Sequence, residues 1–198
     1  MTYNKPDTKL DECIFVAEKI IPADLCDAII QDIETRKWKP HEWYSANDSS
    51  VVSEETMELD VQESTPELIV EVKKYIVESG RQYNCNYRYG DRDDDRPGQI
   101  MNMFNPIRFN RYSSGQIMRQ HHDHIHSIFD GKLKGIPVLS FILNFNDDYE
   151  GGDLFFWEDT VVKLGKGDVC MFPSCFLFPH GVSEVTKGKR YSGVCWGW

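Results

Sequence analysis

A group of residues able to bind a metal lies in the last third of the chain. His121, His122 and Asp123 are consecutive, and His180 follows much later in the sequence. Two imidazoles and one carboxylate can occupy one face of a six-coordinate metal and leave three positions open, which suits Fe(II) in oxygenases. His121 and Asp123 are two residues apart, so on a strand both side chains point to the same face. We therefore predict a catalytic metal site formed by His121, Asp123 and His180.

Two other interpretations of the nearby histidines remain open. His122, His124 and His126 alternate along the chain and would share the opposite strand face, with ligand types that suit zinc. Exposure to solvent beside a loop is the simpler explanation for these three residues. His41 lies in a polar segment, and we expect it to be an ordinary surface residue.

An arginine follows the last histidine. Arg190 carries a planar fork of donors that can grip a carboxylate, and its burial without an anion would be costly. On a strand, every second residue of this segment falls on one face, which brings together Arg190, Ser192, Val194 and Trp196. An open metal site with an anion-binding arginine predicts a reaction centre. The simpler alternative is a structural salt bridge between Arg190 and an Asp or Glu.

Length and composition indicate one globular domain. The chain has 198 residues, of which 40% are hydrophobic and 13% aromatic, enough for a substantial core. Its net charge of -10 argues against general nucleic-acid binding, which needs clustered Lys and Arg. No apolar leader or membrane span is evident, so we expect a cytoplasmic protein with no membrane partner. Six cysteines without a CxxC pair suggest buried, reduced thiols.

The sequence pattern of the first half of the chain predicts one strand and two helices. A strand at 13–21 is followed by a helix that begins near Pro22. Ser64-Thr65-Pro66-Glu67 is typical of a capping box and predicts the start of a second helix, with Leu68, Val72 and Ile76 on its apolar face.

The sequence pattern of the second half of the chain predicts strands. From about residue 100 apolar residues alternate or form short runs, and turn signals at 165–167 and 186–188 suggest two hairpins, within 161–172 and 182–196. Helices followed by many short strands predict an α+β fold with helices packed on one sheet of a double-sheet jelly roll. We expect one domain, 1–198, in which a helical N-terminal support (1–99) carries a jelly-roll catalytic core (100–198).

An ordered set of short motifs resembles a known family. The motifs are Tyr112-x-x-Gly115-Gln116, His121-x-Asp123, Gly151-Gly152-Asp153-Leu154, Phe172-Pro173-Ser174, His180-Gly181-Val182 and Val185-Thr186-x-Gly188-x-Arg190-Tyr191-Ser192 to Trp196. Together, over roughly residues 105–198, they resemble the prolyl 4-hydroxylase-type branch of the 2-oxoglutarate- and Fe(II)-dependent dioxygenases. The resemblance implies a double-stranded β-helix core.

The same resemblance implies roles for individual residues. Fe(II) would bind to His121, Asp123 and His180, and Arg190 would bind the far carboxylate of 2-oxoglutarate. Four further residues are expected at the cosubstrate pocket, namely Tyr112, Asn144, Ser192 and Trp196. Two positions depart from many members of the family: Met118 stands where an aromatic is frequent, and Arg190 where many members have Lys.

The implied activity is hydroxylation of a peptidyl proline. O2 would be consumed, 2-oxoglutarate would become succinate and CO2, and ascorbate (vitamin C) would serve as reductant. The expected partner is a peptide or protein. Alternatives are the same chemistry on another side chain, a free amino acid or a nucleobase, or a non-catalytic jelly-roll binding module.

Two polar segments are candidates for loops that close over a substrate, residues 38–56 and 86–98. Trp43, Tyr44, Tyr87 and Tyr89 in or beside them could stack on a peptide that contains proline. The alternatives are solvated insertions without a function and aromatics that anchor their own loops.

Overall fold

The computed structural model describes residues 9–45, 50–52, 58–86, 101, 103–123 and 137–198. The N-terminal half begins with a short 3-10 helix, Asp11–Cys13, and strand β1, Phe15–Ala17. Helix α1 spans Ala23–Glu34, and helix α2 spans Pro66–Asn86. The predicted first strand and both predicted helices are therefore present.

Short strands lie between the two helices. They are β2 (Lys39–Pro40), β3 (Trp43–Ser45), β4 (Ser50–Val52) and β5 (Asp60–Glu63). Strands β3 and β4 pair with each other, and β2 pairs with β5. The prediction of a loop over 38–56 is therefore wrong for its described parts. Strand β2 joins the edge of the larger sheet, whereas β3 and β4 form a separate two-stranded sheet, and sequence periodicity does not reveal pairings as short as these.

The second half consists of strands in its described parts. They are β6 (Arg108–Ser113), β7 (Met118–His121), β8 (Leu139–Asn144), β9 (Glu150–Gly151), β10 (Leu154–Phe156), β11 (Thr160–Val162), β12 (Val169–Pro173), β13 (His180–Val182), β14 (Val185–Lys187) and β15 (Lys189–Gly197).

Two sheets form the core of the jelly roll. In the described residues, one sheet has the order β1-β12-β8-β15-β6-β5-β2, and the other has the order β11-β10-β13-β7. All pairings between these strands are antiparallel. The predicted α+β jelly roll is confirmed, and strands from the N-terminal half complete its larger sheet.

Alternation along β8 separates the two layers of the core. Phe141 and Leu143 belong to the apolar cluster that includes Ile29 of α1 and Val72 of α2, so the helices cover the outer face of the larger sheet. Ile142 belongs to a second cluster, between the two sheets. Ser140, Ile142 and Asn144 alternate along β8 and therefore share its inner face, so a site between the sheets can take residues from both.

Both predicted hairpins are wrong. Strand β11 pairs with β10 in the smaller sheet, whereas β12 pairs with β8 and β1 in the larger one. Strands β13, β14 and β15 likewise lie in three different sheets. Turn signals are local, but in a jelly roll the chain often crosses to the opposite sheet after a turn, so adjacent strands need not pair.

Smaller features differ in part from the sequence expectations. The α2 cap is Thr65, whose hydroxyl accepts a hydrogen bond from the Leu68 N–H at 3.4 Å, rather than the expected pair of Ser64 and Glu67. All six cysteines are free thiols, as predicted, but Cys85 is exposed. Neither helix in the described ranges is both long and apolar enough to cross a membrane.

Candidate metal centre

Strand pairing in the smaller sheet brings two histidines together. Strands β7 and β13 are antiparallel, and their register places His180 directly opposite His121. Directly opposed residues of antiparallel strands project to the same face. The two imidazole centroids are 4.4 Å apart. The long separation of these residues in sequence is therefore removed by a single strand pair.

Asp123 completes a group of three potential ligands. It follows the end of β7, and its Oδ1 lies 3.7 Å from His121 Nε2 while its Oδ2 lies 3.9 Å from His180 Nε2. One ligand atom from each of the three residues falls within 4.8 Å of the other two. The structure thus brings together the three residues that the sequence predicted as a metal site.

Backbone carbonyls fix the orientation of both imidazoles. Nδ1 of His121 lies 2.9 Å from the carbonyl oxygen of Arg119, and Nδ1 of His180 lies 3.0 Å from that of Phe178. A carbonyl can only accept, so each Nδ1 donates a proton, and the lone pair of the neutral ring is then on Nε2. A second hydrogen bond of this kind is typical of metal-binding histidines. Both Nε2 atoms are therefore prepared to bind a metal.

The carboxylate is positioned by a serine pair. The Ser140 hydroxyl donates to Asp123 Oδ2 at 2.5 Å and also lies 2.5 Å from the Ser174 hydroxyl. Burial alone would raise the pKa of Asp123, but His180, His121 and the Ser140 hydrogen bond outweigh it, so the pKa falls below its usual value. The group is therefore an anion at neutral pH. Sequence analysis assigned no such role to Ser140, because its contact with Asp123 arises only in three dimensions.

His121 is neutral under ordinary conditions. Burial, with the nearby His180 and despite Asp123, lowers the pKa of His121 to about 4. Its imidazole therefore does not need to lose a proton before it binds a metal at neutral pH. Two imidazoles and one carboxylate fit a divalent ion with open coordination positions, and Fe(II) is bound by such a set in oxygenases.

Arg190 is buried with one donor unused. Its side chain is 1% exposed, and its Nη2 meets no acceptor in the described structure. The other two guanidinium nitrogens meet neutral hydroxyls, Nε donating to Tyr149 at 3.3 Å and Nη1 to Ser192 at 3.4 Å. No described ion pair includes Arg190, so the structural salt bridge considered above is absent from the described residues. The unused donor fits a carboxylate ligand.

The Gly151-Gly152 motif provides space for this arginine. A Cβ on Gly152 would lie 2.8 Å from Val185 Cγ2 and 3.2 Å from Arg190 Cδ, and its φ of +63° is unfavourable for other residues. Tyr149, just before the motif, bridges Arg190 and Asn144, since its hydroxyl also lies 3.4 Å from Asn144 Oδ1. Sequence analysis missed Tyr149, because no spacing pattern marks it.

Two adjoining cavities lie between the sheets. The one at the His121–Asp123–His180 group is about 20 Å³ and is also lined by Tyr112, Leu154 and Trp196. The other is an open cleft of about 220 Å³ lined by Arg190, Tyr149 and again Leu154. The Arg190 guanidinium carbon is 5.2 Å from the centre of the Tyr112 ring. Tyr112 and Leu154 therefore stand where a ligand held by Arg190 would extend toward the metal ligands.

The remaining predicted pocket residues lie on the same inner wall. Ser192 and Trp196 alternate with Arg190 along β15, and Ser192 is opposite Asn144. The Asn144 amide already donates to three backbone carbonyls, of Asn146 (2.7 Å), Leu164 (3.2 Å) and Gly165 (3.2 Å). Its NH2 group thus holds the β8 end in place, and a role toward a cosubstrate remains a prediction.

Other candidate residues lie elsewhere or outside the described residues. His122 is exposed, and His124 and His126 fall outside the described residues, as do Tyr87 and Tyr89. The expectation for His41 is wrong: it is buried, with Nδ1 3.2 Å from Glu58 Oε2. Strand β2, which ends just before His41, pairs with β5 of the larger sheet, and the backbone N–H of His41 donates to the Leu59 carbonyl. This pairing buries the His41 side chain.

Comparison with known proteins agrees with the site. Residues 107–198 match the family model described as the 2OG-Fe(II) oxygenase superfamily. A PKHD-type hydroxylase from Idiomarina loihiensis is 33% identical over 107 residues, which cover 51% of this chain and 44% of the relative. One from Shewanella oneidensis is 36% identical over 98 residues, which cover 47% and 42%. The chain thus spans less than half the length of these curated relatives.

Solved structures share the fold over almost the whole chain. A viral collagen prolyl hydroxylase from Paramecium Bursaria Chlorella virus-1 aligns with a TM-score of 0.64 at 15% identity, covering 93% of this chain and 94% of that one. A Pseudomonas putida prolyl-4-hydroxylase gives 0.64 at 19% identity, with 93% and 91% coverage. A Trichoplax adhaerens prolyl hydroxylase, in complex with a hypoxia inducible factor peptide, gives 0.65 at 15% identity, with 94% and 84% coverage.

The Ser140 hydrogen bond generates a prediction about metal affinity. Ser140→Ala leaves Asp123 Oδ2 without its donor, and loss of such a supporting contact typically weakens metal binding by roughly ten- to a hundredfold. Titration calorimetry with Mn(II) as a redox-stable probe measures the change. The control is Ser114→Ala, an exposed serine outside this network. Equal affinities in the two variants would show that Ser140 does not position the carboxylate.

Proposed function

We propose that this chain, whose residues 107–198 match the 2OG-Fe(II) oxygenase family model, is an Fe(II)- and 2-oxoglutarate-dependent hydroxylase that acts on a peptidyl proline. The observation that carries the proposal is the convergence of His121, Asp123 and His180 within 4.8 Å, with both Nδ1 atoms bonded to backbone carbonyls. A metal held by these three residues would keep coordination positions open.

The proposed roles follow from the contacts of each side chain. His121, Asp123 and His180 would hold Fe(II), and Ser140 would orient the carboxylate. When bound, Fe(II) supplies the O2 chemistry in which 2-oxoglutarate becomes succinate and CO2 and a substrate C–H bond becomes C–OH. All other tasks belong to the protein, which excludes water and fixes the reactants.

Arg190 would bind the far carboxylate of 2-oxoglutarate. Its unused Nη2 supports this role, and Ser192 and Tyr149 hold the guanidinium in place from two sides. Tyr112 would form the wall between this anion site and the metal ligands. We assign Trp196 and Asn144 to the same pocket as positioning residues. Ascorbate is proposed as the reductant that keeps the iron ferrous.

A peptide substrate is supported by the relatives rather than by a contact in this chain. The curated relatives are PKHD-type hydroxylases, and one structural neighbour was solved with a peptide fragment. Another side chain, a free amino acid or a nucleobase would use the same centre, and a binding module without turnover is the alternative from a different class. The experiment below separates these outcomes.

We further propose that residues 1–198 act as one domain, with 100–198 as the catalytic core. Support comes from β1, β2 and β5, which precede residue 100 and yet complete the larger sheet. A reducing, cytoplasmic setting is also proposed. It agrees with six free thiols and would keep iron ferrous.

A peptide screen with two adjacent histidine variants tests the function. We expect the protein with Fe(II), 2-oxoglutarate and O2 to add one oxygen atom to peptides that contain proline, with succinate formed in step. His121→Ala removes a proposed ligand and should abolish both products. His122→Ala alters the exposed neighbour and should retain both. Mass spectrometry of proline-containing and proline-free peptides provides the measurement.

Each outcome of the screen has a distinct meaning. Oxygen added only to proline-free substrates would contradict the prolyl assignment and retain the chemistry. Absence of succinate under all conditions would contradict the enzyme and favour a binding module. Loss of activity in His122→Ala but not in His121→Ala would contradict the proposed ligand set and favour the alternative histidine site.

The anion role of Arg190 predicts a change in cosubstrate affinity. Arg190→Met should raise the KM for 2-oxoglutarate roughly a hundredfold or more, since truncating a buried charge pair costs about 2–5 kcal/mol and 1.4 kcal/mol is a factor of ten. Arg190→Lys should be less impaired. The matched control is Lys189→Met on the same strand, whose side chain is exposed. A KM for Arg190→Met within about threefold of the unmodified protein's would refute this role.

A further inference from the structure

A second arginine reaches the metal cavity. Arg108, Asn110 and Tyr112 alternate along β6, and all three line the cavity at His121 and Asp123. The guanidinium carbon of Arg108 lies 5.8 Å from the centre of a Trp196 ring. The inner face of β6 therefore places a cation, Arg108, beside the proposed metal ligands. It is separate from Arg190 of β15, which lies near Tyr112.

This cation has unused hydrogen-bonding capacity. The Nε atom of Arg108 is buried and meets no acceptor, and in the described structure no ion pair includes Arg108. Burial lowers the pKa of the guanidinium, and the opposing effects of Tyr112, Asp123 and Glu63 do not offset it. Oδ1 of the neighbouring Asn110 also lacks a partner. A half-buried arginine whose buried Nε has no acceptor favours an added anion.

The two arginines lie at different positions on the inner face. Strand register places Arg190 opposite Tyr112 and Val194 opposite Arg108, four residues further along the pair. At about 3.3 Å per residue, their backbone positions are separated by roughly 13 Å along the sheet. The Arg190 guanidinium lies over the Tyr112 ring, whereas that of Arg108 lies over the Trp196 ring. Trp196 is opposite Ser140, which bonds Asp123, so Arg108 is at the end near the proposed metal ligands.

Carboxylates of the protein do not satisfy Arg108. Asp123 and Glu63 act on the guanidinium through space, but in the described structure neither forms an ion pair with it, and its Nε stays without an acceptor. A carboxylate on the substrate would supply that acceptor.

We propose that Arg108 determines substrate specificity by binding a carboxylate of the primary substrate. This inference rests on the proposed function and deepens it: among prolyl peptides, the preferred ones carry a carboxylate next to the proline. The carboxylate belongs either to an acidic side chain that adjoins the proline or to a C-terminal proline itself. Both sources present the same planar acceptor to the guanidinium fork.

Binding of matched peptides tests this inference without turnover. The probes are two pairs of short peptides. The first pair consists of peptide amides with Pro-Glu or Pro-Gln at the centre, and the second ends in proline as the free acid or the amide. Calorimetry is done on the protein loaded with Zn(II) and 2-oxoglutarate. We expect the acidic member of one pair to bind roughly tenfold or more tightly than its neutral partner, because hydrogen bonds to charged groups are stronger than those between neutral groups. The pair that shows this difference identifies whether the carboxylate belongs to an acidic side chain or to a C-terminal proline.

Variants assign the preference to Arg108. Arg108→Met should remove the difference between acidic and neutral peptides, Arg108→Lys should retain part of it, and Arg81→Met, which alters an exposed arginine on α2, should leave it intact. Circular dichroism verifies folding. The inference is overturned if no acidic peptide is preferred, or if Arg108→Met weakens binding of 2-oxoglutarate rather than of the acidic peptide. Peptides that bind but are never hydroxylated would contradict the proposed function and not the role of Arg108.

Discussion

The pairing of β7 with β13 is the interaction on which the candidate centre depends. Its register sets His121 opposite His180 and fixes two ligands that are far apart in sequence. Carbonyls of Arg119 and Phe178 then hold both Nδ1 protons, so both Nε2 atoms remain as acceptors. A slip of one residue would turn one imidazole to the opposite face, since side chains alternate along a strand. The ligand geometry is thus a property of the smaller sheet, before any metal binds.

The larger sheet supplies what surrounds these ligands. Ser140 on β8 holds Asp123, and the inner faces of β6 and β15 carry the two arginines with Tyr112 between them. Helices α1 and α2 cover the outer face, so the inner face can carry polar groups while the apolar core remains intact. Arg190 Nη2, Arg108 Nε and Asn110 Oδ1 remain unsatisfied, and each such group costs about 1–3 kcal/mol. Ligands that bind these groups should therefore raise the free energy of unfolding, because they bind the folded state.

The sequence predicted which residues converge at the candidate site better than it predicted the strand pairing. His121, Asp123, His180 and Arg190 could be selected because chemistry restricts their residue types and because their motifs occur in a recognisable order. Jelly-roll architecture followed from the same resemblance and from the change to period-two patterning. The two hairpins were wrong because a turn signal describes a few residues, whereas the choice of sheet depends on distant strands. His41 and Tyr149 gave no usable signal, since their partners, Glu58 and Arg190, are assembled only by tertiary structure. Arg108 was not predicted as a site residue, because alternation along a strand does not reveal which of its two faces lines a cavity.

X-ray absorption spectroscopy at the iron edge tests the central claim most directly. With Fe(II) and 2-oxoglutarate bound, the account predicts two imidazoles per iron, oxygen donors in the remaining positions and no sulphur. The same spectrum is expected from His122→Ala, because that side chain is exposed. Three or more imidazoles, a thiolate ligand, or a spectrum changed by His122→Ala would place the iron elsewhere, and the account of this site would then be wrong.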